Sequence, residues 1–97
     1  MSNLYSKIIG CGSYLPEKIL TNYDIEKIVD TSHDWIFERT GIVQRHIASE
    51  NESSVDMALH ASIKAMAMAE LSSDDIDMII VATATPERKF PSTAVLL

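Results

Sequence analysis

The chain has 97 residues, 46% of them hydrophobic and 23% charged, and this length and composition predict one domain with a buried core. Eight basic residues against fourteen acidic ones give a formal net charge of -6, which argues against a sequence-independent hold on nucleic acid or on anionic lipid. The longest apolar runs, Met78–Ala82 and Ala94–Leu97, fall far short of the roughly 20 residues that cross a bilayer. The N-terminus lacks the pattern of an export signal, so we expect a cytoplasmic protein without nucleic-acid or membrane partners.

The first half of the chain predicts a strand followed by two short helices. Lys7–Tyr14 is a β-rich run that ends just before Pro16, and we expect it to form the first strand. Thr21 and Asp24 are spaced as a capping box, with aspartate in place of glutamate. They predict a short helix with one apolar face, made of Ile25, Ile28 and Val29.

The same capping pattern recurs at residues 31–34 and predicts a second helix. This helix runs through Trp35, Ile36 and Arg39, and Gly41 is placed to end it. The mixed segment Ile42–Ile47 favours an exposed strand or an extended conformation.

The second half predicts one long helix and one buried strand. Ser53 and Asp56 cap the helix, whose core-facing positions are Val55, Ala58, Leu59, Ser62, Ile63, Met66 and Ala69. Residues 71–76 form a turn with a brief capped helical piece. Met78–Ala82 is apolar without alternation, as a strand covered on both faces is.

The last predicted elements are a loop over Thr83–Pro91 and a helix that Ser92 caps. This helix has begun its apolar face and reaches no C-cap, so we expect the sequence to be the first part of a longer one.

The single cysteine, Cys11, excludes an internal disulfide and a Cys-x-x-Cys site. It lies between Gly10 and Gly12, but a dinucleotide loop is disfavoured because Leu15 holds the third glycine position and a proline follows. A buried structural cysteine is favoured over a nucleophile, since no histidine is near it in sequence.

The three histidines, His33, His46 and His60, lack zinc-site spacing, so we expect surface or packing roles and no metal.

Trp35 and Arg39 lie four residues apart on one predicted helix, with Thr31 a further turn back. An indole beside a guanidinium suits a nucleobase with phosphates. On spacing alone the alternative is favoured, in which Trp35 packs in the core and Arg39 pairs with Glu38 or Asp34. In the loop, Phe90 is either a contact with a partner or an aromatic that folds back onto its own core.

Five segments together resemble one enzyme family. They are Lys7-Ile-Ile-Gly-x-Gly-Ser-Tyr-Leu-Pro16, Val29-Asp-Thr-Ser-x-x-Trp-Ile-x-x-Arg-Thr-Gly-Ile42, Arg45-His-Ile-Ala48, Ile79-Ile-Val-Ala-Thr-Ala-Thr-Pro86 and Phe90-Pro-Ser-Thr-Ala94. In order and spacing they look like the N-terminal part of β-ketoacyl-acyl-carrier-protein synthase III. The resemblance implies the α/β thiolase fold, five-layered and built of two similar halves, with residues 1–97 as an incomplete portion that stops before the first half is complete.

The resemblance also implies an activity and partners. Members of the family start type II fatty-acid synthesis as homodimers. They move an acyl group from acyl-coenzyme A to a cysteine and condense it with malonyl-acyl carrier protein, releasing carbon dioxide. Acyl-coenzyme A is a substrate, so no cofactor is implied.

Carried over position by position, the resemblance implies that Thr31, Trp35 and Arg39 bind the adenine-nucleotide end of coenzyme A. Phe90 matches the phenylalanine that helps to bound the acyl pocket of the partner subunit. Cys11 does not match the family's nucleophile, and the catalytic cysteine, histidine and asparagine are expected beyond Leu97, so this chain holds no catalytic residue. The alternative function is an inactive α/β piece that acts only by self-association or by complementing the missing part.

Overall fold

The computed structural model describes residues 3–97, which divide into two compact units. Unit 1 combines the described residues up to Tyr14 with Ser53–Leu97, and unit 2 is Leu15–Glu52. Within the described residues the elements are β1 (Lys18–Thr21), α1 (Asn22–Glu26), α2 (His33–Thr40), β2 (Gln44–Ile47), α3 (Ser54–Ala69), a 3-10 turn (Ser73–Asp75) and α4 (Thr93–Leu96).

In unit 2, β1 and β2 form an antiparallel pair that leads directly into α1. Lys18 lies opposite Ile47, and Thr21 lies opposite Gln44. Thr21 is also the N-cap of α1. Its hydroxyl accepts from the Asp24 backbone N–H at 3.1 Å, and its own N–H donates to the Asp24 carboxylate at 2.9 Å. The backbone N–H of Thr21, followed by its hydroxyl, holds the pKa of Asp24 below its usual value.

Helix α2 ends at Gly41 as the sequence predicts, but the capping box predicted from Thr31 and Asp34 does not form, because Ser32 is the N-cap. The Ser32 hydroxyl accepts from the Trp35 backbone N–H at 3.1 Å. At the other end Gly41 has φ of 70°, a left-handed conformation that glycine adopts without a steric penalty, and its N–H donates to the Phe37 carbonyl at 2.8 Å. The extended segment predicted after Gly41 is confirmed as β2.

The length predicted for the first helix is wrong, and one strand of unit 2 is not predicted. The first helix ends at Glu26, so Ile28 and Val29 lie beyond it and are 71% and 54% exposed instead of forming its apolar face. Strand β1 lies outside the predicted elements, since the predicted first strand ends before Pro16. β1 begins two residues after Pro16 and depends on a partner more than twenty residues away.

In unit 1 the predicted capping box opens α3. The Ser53 hydroxyl accepts from the Asp56 N–H at 3.1 Å, and the Ser53 N–H donates to the Asp56 carboxylate at 3.1 Å. That N–H, and then the hydroxyl, lower the pKa of Asp56. The predicted loop folds back on this end of α3, where the Val55 N–H donates to the Glu87 carboxylate at 3.3 Å.

The glycines of the Gly10-Cys11-Gly12 segment lie against the backbone of α3. A Cβ built on Gly12 would be 2.4 Å from the Ala61 carbonyl oxygen, and one on Gly10 would be 2.5 Å from the Ala65 carbonyl oxygen. The missing side chains therefore permit close packing of chain on helix. This role, and not a phosphate-binding turn, explains both glycines.

The predicted core face of α3 is confirmed in part. The alanines at every fourth position, Ala61, Ala65 and Ala69, lie next to the glycine segment. Of the seven positions predicted to face the core, Leu59 and Ile63 are 42% and 51% exposed, and the other five are half-buried: Val55, Ala58, Ser62, Met66 and Ala69. The alanines of α3, and not its largest side chains, therefore lie at the contact with the Gly10-Cys11-Gly12 segment.

Three further predictions for unit 1 are wrong. Neither Lys7–Tyr14 nor Met78–Ala82 forms a strand, because no ladder partner for either lies within the part of the chain that the structure describes. Cys11 is exposed instead of buried, since its segment is covered on the α3 side alone. The 3-10 turn and α4 lie where the capping residues predict them.

Little of the described chain is fully covered. Apart from Pro16, no apolar residue among residues 3–97 is buried; the other buried residues are Asn22 and Thr93. None of the helices in the same range is long and apolar enough to cross a membrane.

Candidate functional site

An open cleft in unit 2 brings α1, α2 and their connection together. Its volume is about 700 Å³, and it is lined by Ile25, Val29, Asp30, Thr31, Ser32, Trp35 and Ile36. We call these seven residues the α1–α2 cleft. The lining combines aliphatic side chains and an indole with one carboxylate and two hydroxyls, so it can hold a flat ligand with a polar edge.

Trp35 and Arg39 form a stacked pair on α2. The guanidinium carbon of Arg39 lies 4.1 Å from the centroid of the indole, within the range of a cation–π contact. Trp35 is 53% exposed, and Arg39 makes no ion pair with Asp34 or Glu38 within the described residues. The alternative of a core tryptophan beside an ion-paired arginine is therefore wrong.

Thr31 lies at the start of the same helix. It is half-buried, directly precedes the N-cap Ser32 and lines the α1–α2 cleft together with Trp35. The structure thus brings all three sequence-predicted residues to one region: Thr31 and Trp35 in the cleft, and Arg39 against the indole.

The chemistry of this region follows from its groups. The indole offers an aromatic face on which a base can stack, a contact worth about 1–3 kcal/mol per base. The Thr31 hydroxyl can donate or accept a hydrogen bond at the edge of such a base. Arg39 is a permanent cation in the last turn of α2 and can bind phosphate.

Sequence analysis missed two residues of this region. Asp30 lines the cleft and is detectable only through its position next to Thr31. Asn22, the first residue of α1, is completely buried and bonds to the first residue of α2. Its sequence neighbourhood gives no signal, because its partners are 11 to 23 residues away.

The other candidate residues lie in unit 1. Phe90 is 91% exposed, so it does not fold back onto a core of its own unit. The thiol of Cys11 lies 4.0 Å from the Met68 sulfur, and the Cys11 backbone N–H also points to that sulfur at 3.3 Å. Among the described residues no base contacts the thiol, so it lacks the partner that activates a nucleophile.

The three histidines have packing or hydrogen-bonding roles. His33 stacks on Tyr23, His46 bonds through Nδ1 to the Pro16 carbonyl, and His60 stacks on Tyr14. No group of three or more potential ligands from His, Cys, Asp and Glu is close enough to hold a metal ion, as far as residues 3–97 are concerned.

Comparison with curated proteins gives a consistent set of relatives. The chain is 57% identical over 94 residues to the β-ketoacyl-[acyl-carrier-protein] synthase III of Xanthomonas oryzae pv. oryzae, covering 97% of this chain and 29% of the relative. It is 59% identical over 93 residues to the protein of the same name from Thioalkalivibrio sulfidiphilus, covering 96% and 29%. The chain therefore spans under a third of the length of these relatives.

Solved structures agree with the sequence comparison. The 3-oxoacyl-[acyl-carrier-protein] synthase III of Aquifex aeolicus superposes with a TM-score of 0.87 at 56% identity, over 93% of this chain and 29% of that chain. The priming β-ketosynthase of a polyketide pathway superposes with a TM-score of 0.86 at 30% identity, over 98% and 30%. No family model matches the chain. These relatives confirm the resemblance found in the motifs: the chain is an N-terminal segment of the β-ketoacyl-[acyl-carrier-protein] synthase III family and has part of its thiolase-like fold.

Proposed function

We propose that this chain supplies the coenzyme A nucleotide-binding surface of a condensing enzyme that initiates type II fatty-acid synthesis in the cytoplasm. In the complete homodimeric enzyme, a cysteine outside this chain takes an acyl group from acyl-coenzyme A. Condensation with malonyl-acyl carrier protein then releases carbon dioxide and gives 3-oxoacyl-acyl carrier protein. Acyl-coenzyme A serves as a substrate, and no separate cofactor is needed.

The observation that carries the proposal is the stacked pair on α2. The Arg39 guanidinium lies over the Trp35 indole at 4.1 Å, and the indole is half-exposed and lines the α1–α2 cleft, where adenine can stack on it. Thr31 in the α1–α2 cleft supplies a hydroxyl for the edge of the base. Arg39 supplies the positive charge that a nucleotide phosphate needs, in a chain whose formal net charge is -6.

The direct test is calorimetric titration of the chain with coenzyme A. Replacing Trp35 by alanine removes the stacking face, so we expect the affinity to fall about 5- to 150-fold, the equivalent of about 1–3 kcal/mol. In the complete enzyme the loss falls on KM or kcat/KM for acyl-coenzyme A, and not on condensation from a preloaded acyl-enzyme.

Phe90→Ala is the matched control for this titration. It removes an aromatic side chain that is 91% exposed and is not among the residues that line the α1–α2 cleft, so we expect it to leave the affinity for coenzyme A unchanged. Equal affinities of wild type and Trp35→Ala, in variants with the same helix content, refute the assignment of Trp35.

Phe90 has a separate role in this proposal. Its exposed ring reaches across the dimer and bounds the acyl pocket of the partner subunit. Substitution by alanine in the complete enzyme therefore changes the preferred acyl-chain length without changing nucleotide affinity. An unchanged preference contradicts this role.

A second candidate function is an inactive piece that acts by self-association or by complementing the rest of the fold. The absence of any buried aliphatic or aromatic side chain among the described residues favours it for the isolated chain. We expect no condensing activity from the 97-residue chain, because Cys11 has no activating base. Formation of 3-oxoacyl product by the pure chain, abolished by Cys11→Ser, overturns this expectation.

A further inference from the structure

Asn22 is the only side chain among residues 3–97 that is both polar and completely buried, at 0% exposure. Its amide nitrogen donates to the Ile42 carbonyl at 2.7 Å and lies 3.1 Å from Nδ1 of His33. Its amide oxygen accepts from the Arg45 guanidinium at 2.8 Å. Every polar atom of the side chain is therefore paired, as a buried amide requires.

These bonds connect separate elements of unit 2 through one side chain. Arg45 belongs to β2 and also donates to the Leu20 carbonyl of β1 at 3.1 Å. Ile42 belongs to the segment between α2 and β2, and the Asn22 backbone N–H donates to the neighbouring Val43 carbonyl at 3.0 Å. Asn22 thus connects the antiparallel strand pair β1–β2 with the two helices.

The link to α2 is the one that matters for the α1–α2 cleft. His33 is the first residue of α2; its N–H donates to the Glu26 carboxylate at 2.7 Å, and its ring stacks on Tyr23 at 4.6 Å. Thr31 and Trp35 lie two residues before and two residues after it. A shift of His33 therefore moves both of these residues.

We propose that Asn22 is a positioning residue for the α1–α2 cleft. Through its bond to His33 it holds the first turn of α2 in place, and this determines where Thr31 and Trp35 lie. The effect of Asn22 on coenzyme A affinity rests on the proposed function. The positioning itself is a property of unit 2 that can be measured without a ligand.

The network also fixes the orientation of the amide and the tautomer of His33. Arg45 has donors only, so the amide oxygen must face it and the amide nitrogen must face His33. Nδ1 of His33 then accepts, and its ring proton is on Nε2. This assignment is inferred from the network and is open to a direct spectroscopic check.

The test uses Asn22→Asp, which keeps the size of the side chain and removes both of its N–H donors. Asn51→Asp is the matched control, because it makes the same chemical change at an exposed position of the same unit. Trp35 is the single tryptophan, so its emission maximum and near-ultraviolet circular dichroism report the position of α2 directly.

We expect Asn22→Asp to change both Trp35 signals and to weaken coenzyme A binding about tenfold, while the far-ultraviolet spectrum stays the same. Asn51→Asp changes neither quantity. Unchanged Trp35 signals in Asn22→Asp overturn the inference. If wild type fails to bind coenzyme A, the proposed function falls, and the Trp35 signals still decide the positioning role.

A measurement on the wild type covers the case in which Asn22→Asp does not fold. Nitrogen-15 spectra of the imidazole at pH 8 are expected to show His33 with its proton on Nε2 and Nδ1 unprotonated. A proton on Nδ1 reverses the bond to Asn22 and overturns the inference.

Discussion

Replacing Gly12 by alanine places a methyl group against the backbone of α3. The new carbon would lie 2.4 Å from the Ala61 carbonyl oxygen, 2.6 Å from the Ala65 nitrogen and 2.8 Å from the Lys64 Cβ. Two of these atoms belong to the helix backbone, so no side-chain rotation relieves the overlap. The segment has to move away from α3 by about 1 Å, a gap that forfeits a quarter to a half of the dispersion attraction across the contact.

The loss in the free energy of unfolding follows from the contacts that this movement weakens. Overpacking a close contact costs about 1–3 kcal/mol. The same movement strains the stack of Tyr14 on His60, whose ring centroids are 4.9 Å apart and which contributes about 0.5–1.5 kcal/mol. We therefore expect Gly12→Ala to lower the free energy of unfolding by about 3 kcal/mol.

Urea unfolding followed by circular dichroism at 222 nm measures this loss, since α3 is the longest helix of the described chain. Gly41→Ala is the control, because a Cβ there meets no atom within 4 Å and the only penalty is its φ of 70°. That penalty is about 1–2 kcal/mol. A Gly12→Ala chain within about 0.5 kcal/mol of wild type refutes the packing argument.

Two further predictions concern the caps and the exposed surface. The pKa values of Asp24 and Asp56 are lowered in the folded chain, so their stabilising contribution is complete above the unfolded value of about 4 and is lost as pH falls through the folded values. An acid titration of helix content should show this loss below about pH 4, and Asp56→Asn should reduce it; an identical titration contradicts the capping argument. Light scattering at tens of micromolar should show association of the chain, and a monomeric mass would be evidence against it.

The sequence predicts the starts of α1 and α3 and the end of α2, because each of these caps depends on residues three or four apart. The boxes of Thr21 with Asp24 and Ser53 with Asp56 form as their spacing predicts, and Gly41 ends α2 in a left-handed conformation. The Trp35–Arg39 pair is equally local, since residues four apart share a helix face. Whether that pair binds a nucleotide remains a prediction.

What the sequence does not predict depends on distant partners. β1 exists because Lys18–Thr21 meets Gln44–Ile47, and no pattern within four residues reports that register. The connection through Asn22 has the same origin: its side-chain partners Ile42 and Arg45 lie on the far side of α2 in sequence. Neither feature has a local signal.

Met78–Ala82 shows what an apolar run without alternation actually indicates. Met78 is 77% exposed, Ile79 48% and Ile80 85%, although such a run is typical of a strand covered on both faces. Full burial of a side chain of this kind is worth about 1.5–3 kcal/mol, so covering these three provides up to about 5–9 kcal/mol. The apolar run therefore indicates that the segment needs packing partners on both faces. It does not predict the conformation that the segment takes when those partners are missing. Because the described residues leave these three side chains 48–85% exposed, the free energy still to be gained by burying them is the physical reason to expect association.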